Sequence, residues 1–340
     1  MNDVSPESAG RPPHPLALGL IARLRERTGA RILEIGSGSG RNTAALRRAG
    51  FAVDEYDDRR GGSYEGALST HALLHGTPAT IAQQLSAIAA LLEPGSPLYA
   101  SFGSMRDARY GVGRRIEDDV FAPVDGDERG VAHAFFDDRR LAELLEPHFS
   151  IEALDEIGVD DIAGRWAHER APLQGAVHWF ALLHARSPDG GARRVRAADT
   201  QAWLEMRTRL WPQADPGDLA QEIDRHFADK PPVDHVFVFE EPDGALAGML
   251  ELSLRSHADS CTSSPVPFIE AWFVHERARG RGIGAALVRA AEYWALAHGF
   301  TEIASDTQID NANGIRAHKA LGFEEVERAV LFRRVLVAGE

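Results

Sequence analysis

Apolar positions in this chain fall into two patterns, short runs and helical spacing, and the two alternate along most of its length. Ile32-Leu33-Glu34-Ile35, closed by Gly36, predicts a strand at 31–36, and a helix follows over 41–49 with Gly50 as its stop. Residues 51–57 alternate as a second strand and 64–74 read as a third. Over 78–92, Ile81, Leu85, Ile88 and Leu92 share one helical face, and Glu93-Pro94-Gly95 breaks the helix. A strand at 97–104, a helix at 137–145 and a closing strand pair at 150–159 and 176–185 complete the first half. Strands alternating with helices imply an α/β fold with a doubly wound, mainly parallel sheet.

Ser187-Pro188-Asp189-Gly190-Gly191 interrupts the pattern, so residues 187–192 read as a linker between domains at 16–186 and 193–340. Residues 1–15, rich in Pro, Ser and Gly, read as a loose tail. The second unit predicts helices at 200–209, with Thr200 as cap, and at 219–228. Strands at 233–239 and 245–253 flank the turn Pro242-Asp243-Gly244. Then come a strand at 268–274, a helix at 284–298, a strand at 302–306, a helix at 313–321 stopped by Gly322, and a last strand at 325–334.

A length of 340 residues suits two cores, and an apolar fraction of 44% can fill both. No apolar run of about 18 residues exists to span a membrane. The first fifteen residues hold prolines and charges in place of an apolar signal region, and Cys261 is the single cysteine. Both features point to a reducing cytoplasm. The formal charge of −14 divides into roughly eight excess acids before residue 193 and about six after it. Such a balance disfavours nucleic-acid phosphates and suits cationic small molecules, or solubility alone.

The chemistry concentrates near the C-terminus. Arg279-Gly280-Arg281-Gly282-Ile283-Gly284 joins a predicted strand to a predicted helix; its glycines let backbone approach an anion, and the helix start aims N–H groups at phosphate. This Arg-x-x-Gly-x-Gly run, with Asn311 seven residues before His318 and His318 five before Phe323, resembles the acetyl-CoA signature of the GNAT superfamily. Leu210-Trp211-Pro212, Ser253-Leu254-Arg255, the 261–266 segment, Phe268-Ile269-Glu270, Ala304-Ser305-Asp306-Thr307 and the 323–328 segment further resemble aminoglycoside 6′-N-acetyltransferases. The resemblance implies a mixed, splayed sheet and acetyl-CoA held by Val274, Arg279, Gly280, Arg281, Gly282, Ile283, Gly284, Asn311 and His318. It implies the N–H of Val274 as oxyanion donor and His318 as acid for the leaving thiolate. Glu270 and Asp306 would face the acceptor amine, with Trp211 as a wall of the sugar site. Residue by residue the plainer alternatives stay open: surface carboxylates for Glu270 and Asp306, packing for His318 and Trp211. In place of the subfamily's Asp-Tyr-Val segment stands Ser256-His257-Ala258-Asp259-Ser260, without a tyrosine, so Asp259 or His257 becomes the acceptor-side substitute. The expected reaction is direct attack by the 6′-amine of an aminoglycoside on acetyl-CoA, with another polyamine as the alternative acceptor. The family's members often dimerise, so a homodimer is one expectation.

In the first half, Glu34, Gly36, Gly38 and Gly40 follow the first strand, and Asp57 ends the second. This pattern resembles class I S-adenosylmethionine-dependent methyltransferases, with those five residues at the S-adenosylmethionine site. Only a short Asp/Arg/Gly stretch separates residue 57 from 64, where that family inserts a strand–helix unit. A shortened, degenerate scaffold is the first expectation and an active second enzyme the alternative. His71, His75 and His133 raise the question of a metal; they read as pocket histidines, and no metal is expected.

Overall fold

The structure, a computed structural model, describes residues 12–57, 61–158, 175–187, 189–228, 233–328 and 330. Its first half runs α1 (Pro15–Arg23), β1 (Arg31–Ile35), α2 (Arg41–Arg48), β2 (Ala52–Glu55), β3 (Gly66–Ser69), α3 (Pro78–Leu91) and β4 (Pro97–Ser104). It continues with β5 (Arg114–Glu117), β6 (Val120–Ala122), β7 (His133–Phe136), α4 (Asp138–Leu145), β8 (Phe149–Gly158) and β9 (Val177–Ala185). Strands β2, β1, β3 and β4 lie side by side and parallel. The closing pair is antiparallel, with β9 between β4 and β8. Strands β3 and β4 are buried at every position, as a sheet covered on both faces requires.

Three features depart from the pattern reading. Helix α1 lies in what reads as the end of the tail and an unassigned stretch; His14 caps it, accepting from the Leu16 N–H, and Pro15 opens it. The third strand is only four residues long, because the chain leaves the sheet after Ser69 and His71 adopts φ 63°. Strands β5, β6 and β7 escape the pattern: β5 is exposed at every position and β7 buried at every position, so neither alternates. Residue 159, the end of one predicted strand, lies outside the described residues.

The second half comprises β10 (Gly191–Arg194), α5 (Thr200–Leu210), α6 (Pro216–Phe227), β11 (His235–Glu240), β12 (Leu246–Arg255), β13 (Val266–Val274), α7 (Ile283–Ala297), β14 (Ala304–Ser305) and α8 (Ala312–Ala320). Its sheet is mixed: β10 to β13 are antiparallel neighbours, and β14 joins β13 in parallel after the α7 crossover. Gly191 already pairs with Glu240, so the connection between halves is shorter than 187–192. Thr200 lies inside α5 and donates its hydroxyl to the Ala197 carbonyl, while Asp199 accepts from the Arg196 N–H in the turn before it. Residues 325–328 form no strand, and the rest of the strand expected at 325–334, apart from residue 330, lies outside the described residues.

The two sheets share a core. Leu16 and Leu20 of α1 and Phe180 of β9 belong to the same apolar cluster as Leu250, Leu287 and Trp294. A methyl group on Gly19 of α1 would sit 3.1 Å from Ala297 of α7, so the two helices touch closely there. Polar contacts fasten the seam: Trp294 donates to Asp155 at 2.8 Å, and Arg23, held by two hydrogen bonds to Glu152 within the first half, stacks on Tyr293. No helix among the described residues is long and apolar enough to cross a membrane.

Candidate active site

The C-terminal sheet opens beside β13. Only Phe268 and Ile269 pair with β14, so among the described residues 270–274 of β13 have no neighbour on that edge. Successive N–H groups of a strand point to opposite edges. His275 donates to Ala247 on the β12 side, which turns the N–H of Val274 toward the open edge. The Val274 carbonyl accepts from Arg279 Nε at 3.1 Å, which folds the glycine-rich turn back onto the strand.

That turn leads into α7. Gly280 and Gly282 have φ of 77° and 81°, a left-handed region that penalises a side chain. No side chain caps α7, and its first intrahelical bond runs from Ala286 to the Gly282 carbonyl. The N–H groups of Ile283, Gly284 and Ala285 therefore lack helical partners and form an anion-binding end. At Gly284 a Cβ would come within 2.9 Å of the Trp272 ring, so glycine admits the indole. Arg281 pairs with Glu241 at 2.7 Å and Arg279 lies 3.8 Å from Glu276, so both cations are held at the rim.

At the other end of the opening, Glu270 is the extra residue of a β-bulge: Ala271 faces Glu251, Ile269 faces Leu252, and Glu270 stands between. Bulges re-aim side chains. Glu270 accepts two hydrogen bonds from Arg255, at 2.8 and 2.5 Å, and the Arg255 guanidinium lies 3.4 Å above the Phe268 ring. The Glu270 hydrogen bonds, with the nearby Asp306 charge, push the Arg255 pKa further up. Glu270 is thus an acid anchored by Arg255, whereas Asp306 is exposed. Asp259 is also exposed and lies 3.6 Å from His257.

Two expected roles meet contrary geometry. His318 Nδ1 sits 2.8 Å from the Gly314 carbonyl, which can only accept, so that nitrogen carries the proton. In the neutral ring Nε2 then accepts from the Ser305 hydroxyl at 2.9 Å, and no proton is aimed at a leaving thiolate. The ring packs edge-on against Trp272 and Phe323. Asn311 caps α8, accepting from Gly314 and donating to Thr307, so part of its hydrogen-bonding capacity goes to the fold. Trp211 ends α5 with Arg207 5.1 Å from its ring centre, so a cation of the protein itself already stacks on it.

Sequence reasoning missed three supports. Buried Glu251 accepts from Trp203 Nε1 at 2.7 Å and lies 3.1 Å from Arg207, and burial pushes its carboxyl up. Glu302 accepts from the backbone of Thr262 and Ser263 and so pins the loop before β13. Trp272 places its buried Nε1 beside α7 and α8 with no hydrogen-bond partner among the described residues. Glycines before an apolar helix could have flagged a bulky neighbour, but nothing local announces the other two.

Comparison with known proteins agrees with this arrangement. The model of the acetyltransferase (GNAT) family matches residues 200–323. Aminoglycoside N(6′)-acetyltransferase type 1 of Klebsiella aerogenes is 42% identical over 147 residues, which are 42% of this chain and 95% of the relative. The protein of the same name from Stenotrophomonas maltophilia is 39% identical, over 42% of this chain and 92% of its own length. A solved structure of AAC(6′)-Iy in complex with a bisubstrate analogue is 30% identical, covers 43% of this chain and 99% of that one, and has a TM-score of 0.41. With an open sheet edge, an uncapped glycine-rich helix start and relatives aligned over nearly their whole length, the chain belongs to the GNAT acetyltransferase family and is an acetyl-CoA-dependent acetyltransferase.

Proposed function

We propose that this enzyme transfers the acetyl group of acetyl-CoA to the 6′-amine of aminoglycosides. The observation that carries the reading is the open edge of β13, with the Val274 N–H and the start of α7 at one end and Glu270, Arg255 and Asp306 at the other. A glycine-rich helix start suits pyrophosphate, and an acidic, partly neutralised end suits a cationic amine. Gly280, Gly282, Ile283 and Gly284 would hold the pyrophosphate, with Arg279 and Arg281 at the rim. The thioester supplies an activated acetyl group. The Val274 N–H would donate to the carbonyl oxygen as negative charge develops there. Asp306, exposed and unmatched by a side-chain hydrogen bond as tight as that of Glu270, takes the amine proton directly or through water. Holding both substrates along one edge supplies proximity, and no covalent enzyme adduct is required.

Coenzyme A release from acetyl-CoA tests the reading with kanamycin or tobramycin, which carry a 6′-amine, and with paromomycin, which carries a 6′-hydroxyl. Turnover confined to the 6′-amines supports it; turnover with none of them refutes the acceptor and leaves the acetyltransferase class standing.

We further read residues 16–186 as a shortened methyltransferase-like scaffold. Support comes from the parallel order of β2, β1, β3 and β4 and from the left-handed Gly36, Gly38 and Gly40. The acid at the end of β2 is Glu55, not Asp57, and Glu55 accepts from Ser37 inside the glycine loop at 2.6 Å. Glu34 accepts from Thr43, and burial pushes its carboxyl up. Acids tied to their own loop favour a scaffold over a ribose site. Micromolar binding of S-adenosylmethionine in calorimetry would overturn this reading.

A further inference from the structure

The N-terminal half brings together three side chains that the acetyl-transfer site does not use. His75 lies in the loop after β3, His133 opens β7, and a backbone bridge links the two residues. Glu128, from the loop before β7, inserts its carboxylate between them. One ligand atom of each residue lies within 4.8 Å of the other two.

Tautomers make this cluster unusual. His133 Nδ1 is 2.9 Å from the Val131 carbonyl, an acceptor only, so Nδ1 carries a proton. In the neutral ring Nε2 is then a lone pair, yet it faces the Glu128 carboxylate at 3.1 Å. His75 Nε2 faces the other carboxylate oxygen at 3.4 Å, buried and without a hydrogen-bond partner among the described residues. A lone pair of His133 converging on a carboxylate needs positive charge between the two: either an imidazolium proton on His133 or one dication. The spacing fits the dication. Bonds of about 2.0–2.1 Å around a tetrahedral ion place ligand atoms about 3.4 Å apart. A histidine that donates its second N–H to a backbone carbonyl is also how metal-bound imidazoles are oriented.

We propose that His75, Glu128 and His133 form a binding site for one divalent transition-metal ion of the zinc class. Two imidazoles and a carboxylate match the preferences of such an ion, and three protein ligands leave a tetrahedral position open. The ion would tie the segment carrying β5 and β6 to the loop after β3, at the carboxyl end of the parallel strands, where open α/β sheets bind their ligands.

The test uses the full chain without an affinity tag, dialysed against chelator and then into metal-free buffer. Co²⁺ is titrated and followed by its visible absorption, and Zn²⁺ is then added in competition. The expected result is saturation at one equivalent, a tetrahedral Co²⁺ spectrum and displacement by Zn²⁺. His75→Gln and Glu128→Gln should each weaken binding by about a hundredfold, while melting and acetyl transfer show that both variants fold. No saturable binding by the wild-type chain overturns the proposal in favour of a protonated ion-pair cluster. Equal binding by wild type and both variants overturns the assignment of these ligands.

Discussion

Acid should unfold this protein through three histidines that the fold buries as neutral rings. Burial lowers the pKa of His14, His71 and His178 from 6.5, and the charges of Arg41 and Arg109 add to the effect at His71, which falls to about 3. The rings form one chain of contacts. Arg109 donates to His178 at 2.7 Å, His178 Nδ1 meets His71 Nδ1 at 3.1 Å, and His71 packs edge-on against His14. Each folded pKa lies below the unfolded one, so the unfolded chain binds more protons. The stabilisation is complete well above pH 6.5 and is lost as pH falls below it toward the folded values. At pH 5 the His71 contribution alone has cost about 2 kcal/mol, a sizeable part of the stability of a typical domain, and His14 and His178 add to the loss in the same direction. Glu34 and Glu251, whose carboxyls burial pushes up, work in the opposite direction, while His226 and His235 reinforce the loss. His14→Asn isolates one contribution, because asparagine can still accept from the Leu16 N–H but does not titrate. Urea unfolding at pH 7.5 and pH 5 should show a large loss for the wild type and a smaller loss for the variant. Identical losses in the two proteins, or no loss in the wild type, would refute the reasoning.

Three further outcomes are expected. Gly284→Ala forces a Cβ to within 2.9 Å of the Trp272 ring, so the first turn of α7 should shift at a cost of about 1–3 kcal/mol; steady-state kinetics should show a raised acetyl-CoA KM with the aminoglycoside KM nearly unchanged. Asp306→Asn should cripple kcat while calorimetric coenzyme A binding stays near wild type; an equal loss of both would make Asp306 structural. Asp155→Ala leaves the buried Trp294 Nε1 without its acceptor at the seam between the halves, and should lower stability by about 1–3 kcal/mol in a thermal melt.

What the sequence makes legible is chemistry carried by the backbone. Gly280 and Gly282 are readable because only a left-handed turn before an apolar helix needs them there, and the structure has that turn. The closing pair β8 and β9 is readable because β9 is a long apolar run and β8 begins by alternating apolar and polar residues. Side-chain roles are less legible, since a residue type does not specify its partner. Arg255 reads as one residue of a motif, yet in the fold it neutralises Glu270, an acid expected to face the acceptor amine. His318 and Asn311 sit at the expected positions, but their hydrogen bonds run to Ser305, Gly314 and Thr307. The pattern also separates His75 from Glu128 and His133 by more than fifty residues of chain. Their meeting depends on β7, a strand whose four buried residues carry no alternation.

Helix α7 connects the two halves physically. Its first turn presents the free N–H groups beside Val274, while its last turns carry Tyr293, Trp294 and Ala297 into α1 and Asp155 of the N-terminal half. An α-helix is stiff along its axis, so whatever fixes one end also limits where the other can point. A loose helix would have to be ordered when a pyrophosphate arrives, and that ordering would cost affinity. On the proposed reading, in which the start of α7 holds the pyrophosphate, the N-terminal half would contribute to acetyl transfer without touching a substrate, by holding that helix in advance. This gives the scaffold reading a mechanical content: the seam around Trp294 and the anion-binding turn at Gly282 are two ends of one element, fifteen residues long.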